Sequence, residues 1–167
     1  MNVVHSSSPR LVRDVMVAEL VTTRVDSGLA DAAKLLEHHQ ISGLPVLDDR
    51  GALVGVLSES DLLRARATDY LWASWPTLRV KHLMTTPALT IAAGEPLTVA
   101  ARRMERHHVS RLVVVADTDE SQAIGVIAIS DLLRVMAELP DGATPEPLDP
   151  GEPKAPMDID GIGDRGD

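Results

Sequence analysis

Gly55-Val56-Leu57-Ser58-Glu59-Ser60-Asp61-Leu62-Leu63-Arg64 returns seventy positions later as Gly125-Val126-Ile127-Ala128-Ile129-Ser130-Asp131-Leu132-Leu133-Arg134. In each copy an apolar strand carrying a glycine runs into a helix whose first turn holds an aspartate. Such a junction directs free backbone N–H groups and the positive end of the helix dipole at one spot, which suits an anion. Because the unit is duplicated, the internal repeat sets the architecture before any single motif does.

The elements upstream repeat as well. Ser8-Pro9 reads as a helix start, with Ser as N-cap and Pro at the first helical position, leading into Val12-Arg13-Asp14-Val15-Met16. Leu20 to Val25 is a short β-branched strand. Ser27 then caps a helix with Leu29, Ala32, Ala33 and Leu36 on its apolar face. Gly43 to Leu47 is an apolar, doubly covered strand. The turn Asp48-Asp49-Arg50-Gly51 returns the chain along Leu53 to Leu57. Gly55 inside that strand is unfavourable unless backbone or a ligand comes close. The second helix is expected from Glu59 to about Tyr70.

Copy two begins at Val80-Lys81-His82-Leu83-Met84, 68 positions after Val12 to Met16. Leu89-Thr90-Ile91 is its first strand, and Leu97, Ala100, Ala101 and Met104 repeat the earlier helical face. Leu112 to Ala116 and Ala123 to Ile129 form the strand pair. Their loop, Asp117 to Gln122, is two residues longer than in copy one. Leu132, Leu133, Met136 and Leu139 are expected to line the last helix, which stops before Pro140. The chain thus divides into repeat 1 (9–72), a connector (73–79), repeat 2 (80–140) and a tail (141–167). The tail holds five Pro, five Gly and eight acidic residues, and reads as disordered.

Composition narrows the function. The net charge is −9, of which the tail carries −6, so the body lacks the basic stripe that nucleic-acid binding needs. With two Trp, one Tyr and no Phe, the core is aliphatic. No Cys is present, in keeping with a reducing cytoplasm. The start, Met1-Asn2-Val3-Val4-His5, has no signal-peptide pattern, and no apolar run reaches the roughly 18–20 residues of a membrane span. A cytoplasmic protein with no membrane or nucleic-acid partner is expected. There is no nucleophile elbow, cysteine nucleophile, His-Glu-x-x-His or Walker loop, so the chain is not read as an enzyme.

The order of these motifs, with Ile41-Ser42-Gly43-Leu44-Pro45-Val46 and Gly-x-x-Ser-x-x-Asp-Leu-Leu, resembles the CBS domain, which occurs as tandem pairs called Bateman modules. The resemblance spans about residues 9–139. It implies an α+β fold: two βαββα repeats packed as a pseudo-twofold pair with two clefts between them. It also implies a regulatory module that binds an adenosine-type nucleotide (AMP, ADP, ATP or S-adenosylmethionine) as a regulatory ligand, with no cofactor required. Carried over by position, Ser58 and Asp61 form the polar end of one cleft, with Val21 and Leu44 near its base pocket. Asp131 belongs to the other, with Leu89 near the base. There Ala128 replaces the hydroxyl and leaves only Ser130 nearby. Arg111 falls where the regulatory subunit of AMP-activated protein kinase places a phosphate-binding arginine, and copy one has Gly43 there. The ribose acceptor of one copy and the cation of the other could meet a single ligand.

Each feature has a plainer reading beside this one. Ser58-x-x-Asp61 is also a capping box, and the two roles are compatible. Arg111 also reads as a solvated structural arginine. The pairs His38-His39 and His107-His108, taken as equivalent helix-end positions, suit the helix dipole better than a metal, since successive side chains on a helix diverge by about 100°. Tyr70, Trp72 and Trp75 cover an open edge of the core, form a dimer surface or stack on a base. The leading expectation is a homodimeric sensor acting on an unknown regulated protein. A ligand-independent dimerisation scaffold is the alternative.

Overall fold

The computed structural model describes residues 10–67 and 73–138. Copy one contains β1 (Thr23–Arg24), α1 (Leu29–His39), β2 (Gly43–Leu47), β3 (Leu53–Ser58) and α2 (Glu59–Arg66). Copy two contains α3 (Val80–Leu83), β4 (Thr90–Ala92), α4 (Leu97–His107), β5 (Arg111–Ala116), β6 (Asp119–Ala128) and α5 (Ile129–Ala137). Each copy is a three-stranded mixed sheet, ordered β1-β2-β3 or β4-β5-β6, with a parallel first pair and an antiparallel second. The expected pair of α+β repeats is the architecture found.

Several local expectations need correction. The first strand is two residues long, because only Thr23 and Arg24 reach partners, Val46 and Leu47. Gly28, not Ser27, is the N-cap of α1. The Ser27 hydroxyl instead accepts from the Arg24 N–H at 3.3 Å. The lead helix is a single 3₁₀ turn, Val12–Asp14. The long 117–122 loop is mostly strand: Ala116 pairs with Asp119, and register shifts at Val115 absorb the extra residues. Ala101 is exposed, while Val99 packs on the core in its stead. Leu133 and Met136 do not face the core; they are 57% and 63% exposed. The helix pairs of histidine are offset by one: α1 ends in His39 with Gln40 as left-handed cap, whereas α4 ends in His107 with His108 as the cap. The expected Ser8 cap, the helix as far as Tyr70, Trp72, Leu139 and the tail fall outside the described residues.

The cores interlock. Val12, from the start of copy one, is fully buried among Ile91, Ala100, Met104, Leu112, Val114 and Ile127 of copy two. Val80, from the start of copy two, is fully buried among Leu29, Leu36, Leu44, Val46 and Leu57 of copy one. Backbone bonds repeat the exchange: Val12 N–H donates to Glu95 O at 2.8 Å, and Val80 N–H to Ser27 O at 2.9 Å. Exposed ion pairs sit beside each crossing, Arg13 with Asp117 and Lys81 with Asp26. The hydrogen bond and charge of Lys81 hold the pKa of the Asp26 carboxyl below its ordinary value.

Each lead segment then crosses onto the other copy's last strand. Val17 exchanges two backbone bonds with Val126, at 2.9 and 3.0 Å, and Thr85 does the same with Val56. This explains the strand glycines. A Cβ on Gly125 would lie 2.7 Å from Val17 O, and one on Gly55 would lie 2.7 Å from Thr85 O. The approaching group is backbone, which cannot swing aside. Gly55→Ala and Gly125→Ala are therefore expected to cost about 1–3 kcal/mol each, read by urea denaturation, as overpacking does. Equal stability of either variant and the parent would remove this account of the crossing.

Candidate functional site

The two strand-to-helix junctions are built alike but capped differently. In copy one the Ser58 hydroxyl accepts from the Asp61 N–H at 3.2 Å, and Asp61 Oδ2 accepts from the Ser58 N–H at 2.9 Å and the Ser58 hydroxyl at 2.7 Å. This is a complete capping box, and it holds the Asp61 carboxylate rigidly. In copy two Asp131 Oδ2 still accepts from the Ala128 N–H at 2.9 Å, but Ala128 offers no acceptor in return. Half of the box persists. Both carboxylates are largely withdrawn from solvent, 10% and 6% exposed, and each has an arginine one turn along, Arg64 at 3.5 Å and Arg134 at 3.3 Å.

Two clefts lie between the copies. The larger, about 1070 Å³, joins Val21, Ile41 and Ser42 of copy one to Ser130 and Asp131 of copy two. The smaller, about 340 Å³, joins Ser58 and Asp61 to Pro87, Leu89 and Val109. Both are of a size for small-molecule sites. The pairing expected from position is thus exchanged: Val21 shares a cleft with Asp131, and Leu89 shares one with Asp61. The crossed lead segments cause this. Val17 is held on Val126, so the chain running on to Val21 passes the second aspartate; Thr85 is held on Val56, so the chain to Leu89 passes the first. Leu44, expected near a base, is fully buried in the copy-one core and lines neither cleft.

Arg111 lines both clefts. It opens β5 opposite Ala128, as Gly43 opens β2 opposite Ser58, and the two positions meet: a Cβ on Gly43 would lie 3.5 Å from Arg111 Cδ. That spacing is ordinary van der Waals contact, so the arginine stem lies alongside Gly43. The partly buried guanidinium has no hydrogen-bond or ion-pair partner among the described residues. Arg66 also faces the larger cleft, with its guanidinium 4.2 Å from the Trp75 ring centre, a cation–π contact.

Sequence reading missed the acidic lining. Glu19, Glu37 and Glu59 line the larger cleft, and Glu59 lines the smaller one too. Glu59 stood in the repeated stretch itself, where its counterpart is Ile129. Elsewhere the His38 and His39 rings meet edge to face at 4.9 Å.

Two βαββα units that exchange lead segments and enclose paired clefts define a tandem-repeat fold with a cleft on each side of the repeat interface. The CBS domain profile matches residues 12–68 and 80–138, so the chain belongs to the CBS domain family. The CBS domain pair of protein MJ0100, solved with 5′-methylthioadenosine and S-adenosyl-L-methionine, is 26% identical, superposes with a TM-score of 0.68, and covers 77% of this chain and 97% of its own. CBSX2 in complex with AMP is 30% identical, with a TM-score of 0.66 and coverage of 76% and 96%. Among curated relatives, homoserine O-acetyltransferase of Methanococcoides burtonii is 33% identical over 125 residues, 75% of this chain and 24% of the relative. Inosine-5′-monophosphate dehydrogenase of Mycobacterium leprae is 32% identical over 120 residues, 71% and 21% respectively. The chain spans about a quarter of the length of such enzymes, and the match covers their CBS part. No described helix is long and apolar enough to cross a membrane.

The unequal caps give a direct stability test. Ser58→Ala is expected to cost about 0.5–2 kcal/mol, and Ala128→Ser to gain about 1 kcal/mol, because it supplies the missing acceptor for the Asp131 N–H. Paired thermal melts of the two variants measure both, and a destabilising Ala128→Ser would refute the half-box description.

Proposed function

We propose that this CBS pair is a non-catalytic sensor of an adenosine-type nucleotide, of the AMP, ADP, ATP or S-adenosylmethionine class, and that it passes cleft occupancy to a regulated protein. The observation that carries the reading is Arg111. It is a partly buried arginine without a side-chain partner among the described residues, on the wall shared by two clefts, each of which also presents a fixed aspartate. Complexes of similar CBS pairs with AMP and with S-adenosyl-L-methionine support the ligand class. A ribose presents two vicinal O–H donors, and the outer carboxylate oxygen of Asp61 or Asp131 is the acceptor assigned to them. Ser58 and Ser130 stand beside those acceptors, Val21 and Leu89 form apolar walls for the base, and Arg111 takes phosphate. A charge-assisted bond of this kind contributes roughly 1.5–3 kcal/mol.

A bound ligand would touch both copies and so bias their packing, by no more than its differential affinity for the alternatives. The same proposal places the protein in the cytoplasm, as a homodimer. Support for the dimer is the apolar row Ile129, Leu133 and Met136 on α5, 43%, 57% and 63% exposed, bordering a groove with Leu97 and Ala101 of α4. A second copy presenting the same row would cover it isologously. Leu133→Glu with Met136→Glu is expected to turn a dimer into a monomer in light scattering; a monomeric parent would refute the dimer.

One observation favours a scaffold that binds no ligand: Asp61 Oδ2 is already occupied by both Ser58 donors. A thermal-shift panel of AMP, ADP, ATP, S-adenosylmethionine and NAD separates the readings. The sensor predicts a midpoint rise with at least one compound, up to about 2.7 kcal/mol at a hundredfold excess over Kd. It also predicts a ten- to hundredfold loss of affinity in Asp131→Asn or Asp61→Asn. Flat curves throughout would leave the scaffold.

A further inference from the structure

We propose that the two clefts compete for a single cation, so that the pair holds a phosphate-bearing ligand tightly in one cleft at a time. The inference rests on the sensor reading above and concerns how its two sites are coupled. Arg111 lines both clefts and has no partner of its own among the described residues.

The other cations near the clefts are already engaged: Arg64 and Arg134 pair with Asp61 and Asp131, and Arg66 lies over Trp75. The larger cleft sets Glu19, Glu37, Glu59 and Asp131 against Arg66 and Arg111. The smaller sets Glu59 and Asp61 against Arg111, with His108 as its other titratable base. With Arg111 turned away, carboxylates outnumber fixed cations in either cleft, and a phosphate there meets net repulsion. With Arg111 turned toward one cleft, that cleft gains a planar, multi-donor guanidinium suited to phosphate. The other is left with more carboxylates than cations. Two phosphates converging on the same guanidinium would also repel each other across a partly buried gap, where screening is weak.

The coupling is therefore specific to charge. Adenosine, which carries the same base and diol but no phosphate, does not call on Arg111 and fills the clefts independently. AMP binds tightly in one cleft, and a second AMP binds more weakly in the other.

Isothermal titration of the full chain with AMP and with adenosine tests this. The expected AMP isotherm has one strong event per chain and a second at least tenfold weaker, whereas adenosine shows no such gap beyond the intrinsic difference of the clefts. In Arg111→Gln, AMP affinity should fall to about that of adenosine while adenosine binding is unchanged. In Glu59→Gln, which removes the carboxylate common to both clefts, AMP should bind more tightly in both. Two AMP events of equal strength, or a second stronger than the first, overturn the competition while leaving the sensor intact. Absence of any binding by either compound removes the sensor reading and this proposal together.

Discussion

Everything in this fold depends on two short backbone bridges, Val17 with Val126 and Thr85 with Val56. Each ties the lead segment of one copy to the last strand of the other, and each needs a glycine at the neighbouring strand position to admit the crossing carbonyl. Bridging alone would be weak. It is reinforced because the same lead segments bury Val12 and Val80 in the opposite cores, so neither core is complete without the other copy's chain. The two repeats are consequently one cooperative body in which relative packing and core integrity are the same variable.

That interdependence bears on what a ligand can do. The clefts are walled on one side by the segments leaving the bridges and on the other by the helix junctions that follow the bridged strands. Filling a cleft presses on elements that also hold the cores together. An occupant that prefers one spacing of the copies can shift the whole pair, and no hinge or separate relay is required. The apolar row on α5 begins at Ile129, two residues from Asp131, so the same short helix has one end in a cleft and its exposed flank outside it.

Much of this was legible in the sequence. The duplicated Gly-x-x-Ser/Ala-x-x-Asp stretch located both junctions, and the 68-residue offset located the lead segments and helices. What the repeat could not reveal is which copy a lead segment packs on. Both copies carry the same segment at the same offset, so a self-contained unit and a reciprocally exchanged one have the same pattern. From that ambiguity came the misplacement of Val21 and Leu89 relative to the aspartates. Leu44 was misread for a different reason: the Gly-Leu-Pro-Val strand is covered on both faces, and alternation gives no clue to which side chain faces a cleft. Gly55 was read correctly as needing a close neighbour, though periodicity could not say whether backbone or ligand would supply it.

The departures between the copies at the clefts are chemical in kind. Core positions correspond closely: Val12 with Val80, Ala32 with Ala100, Leu36 with Met104, Leu57 with Ile127. At the cleft walls Ser58 stands against Ala128, Glu59 against Ile129, and Gly43 against Arg111. Packing constrains the first group, since a core tolerates volume-conserving exchange best. The second group is free of that constraint, and its differences are chemical: a hydroxyl, a carboxylate and a guanidinium each present on one side alone. Copy one supplies the better-anchored carboxylate and copy two the guanidinium. Where copy two carries Arg111 copy one carries Gly43, so a single guanidinium stands on the wall that both clefts share.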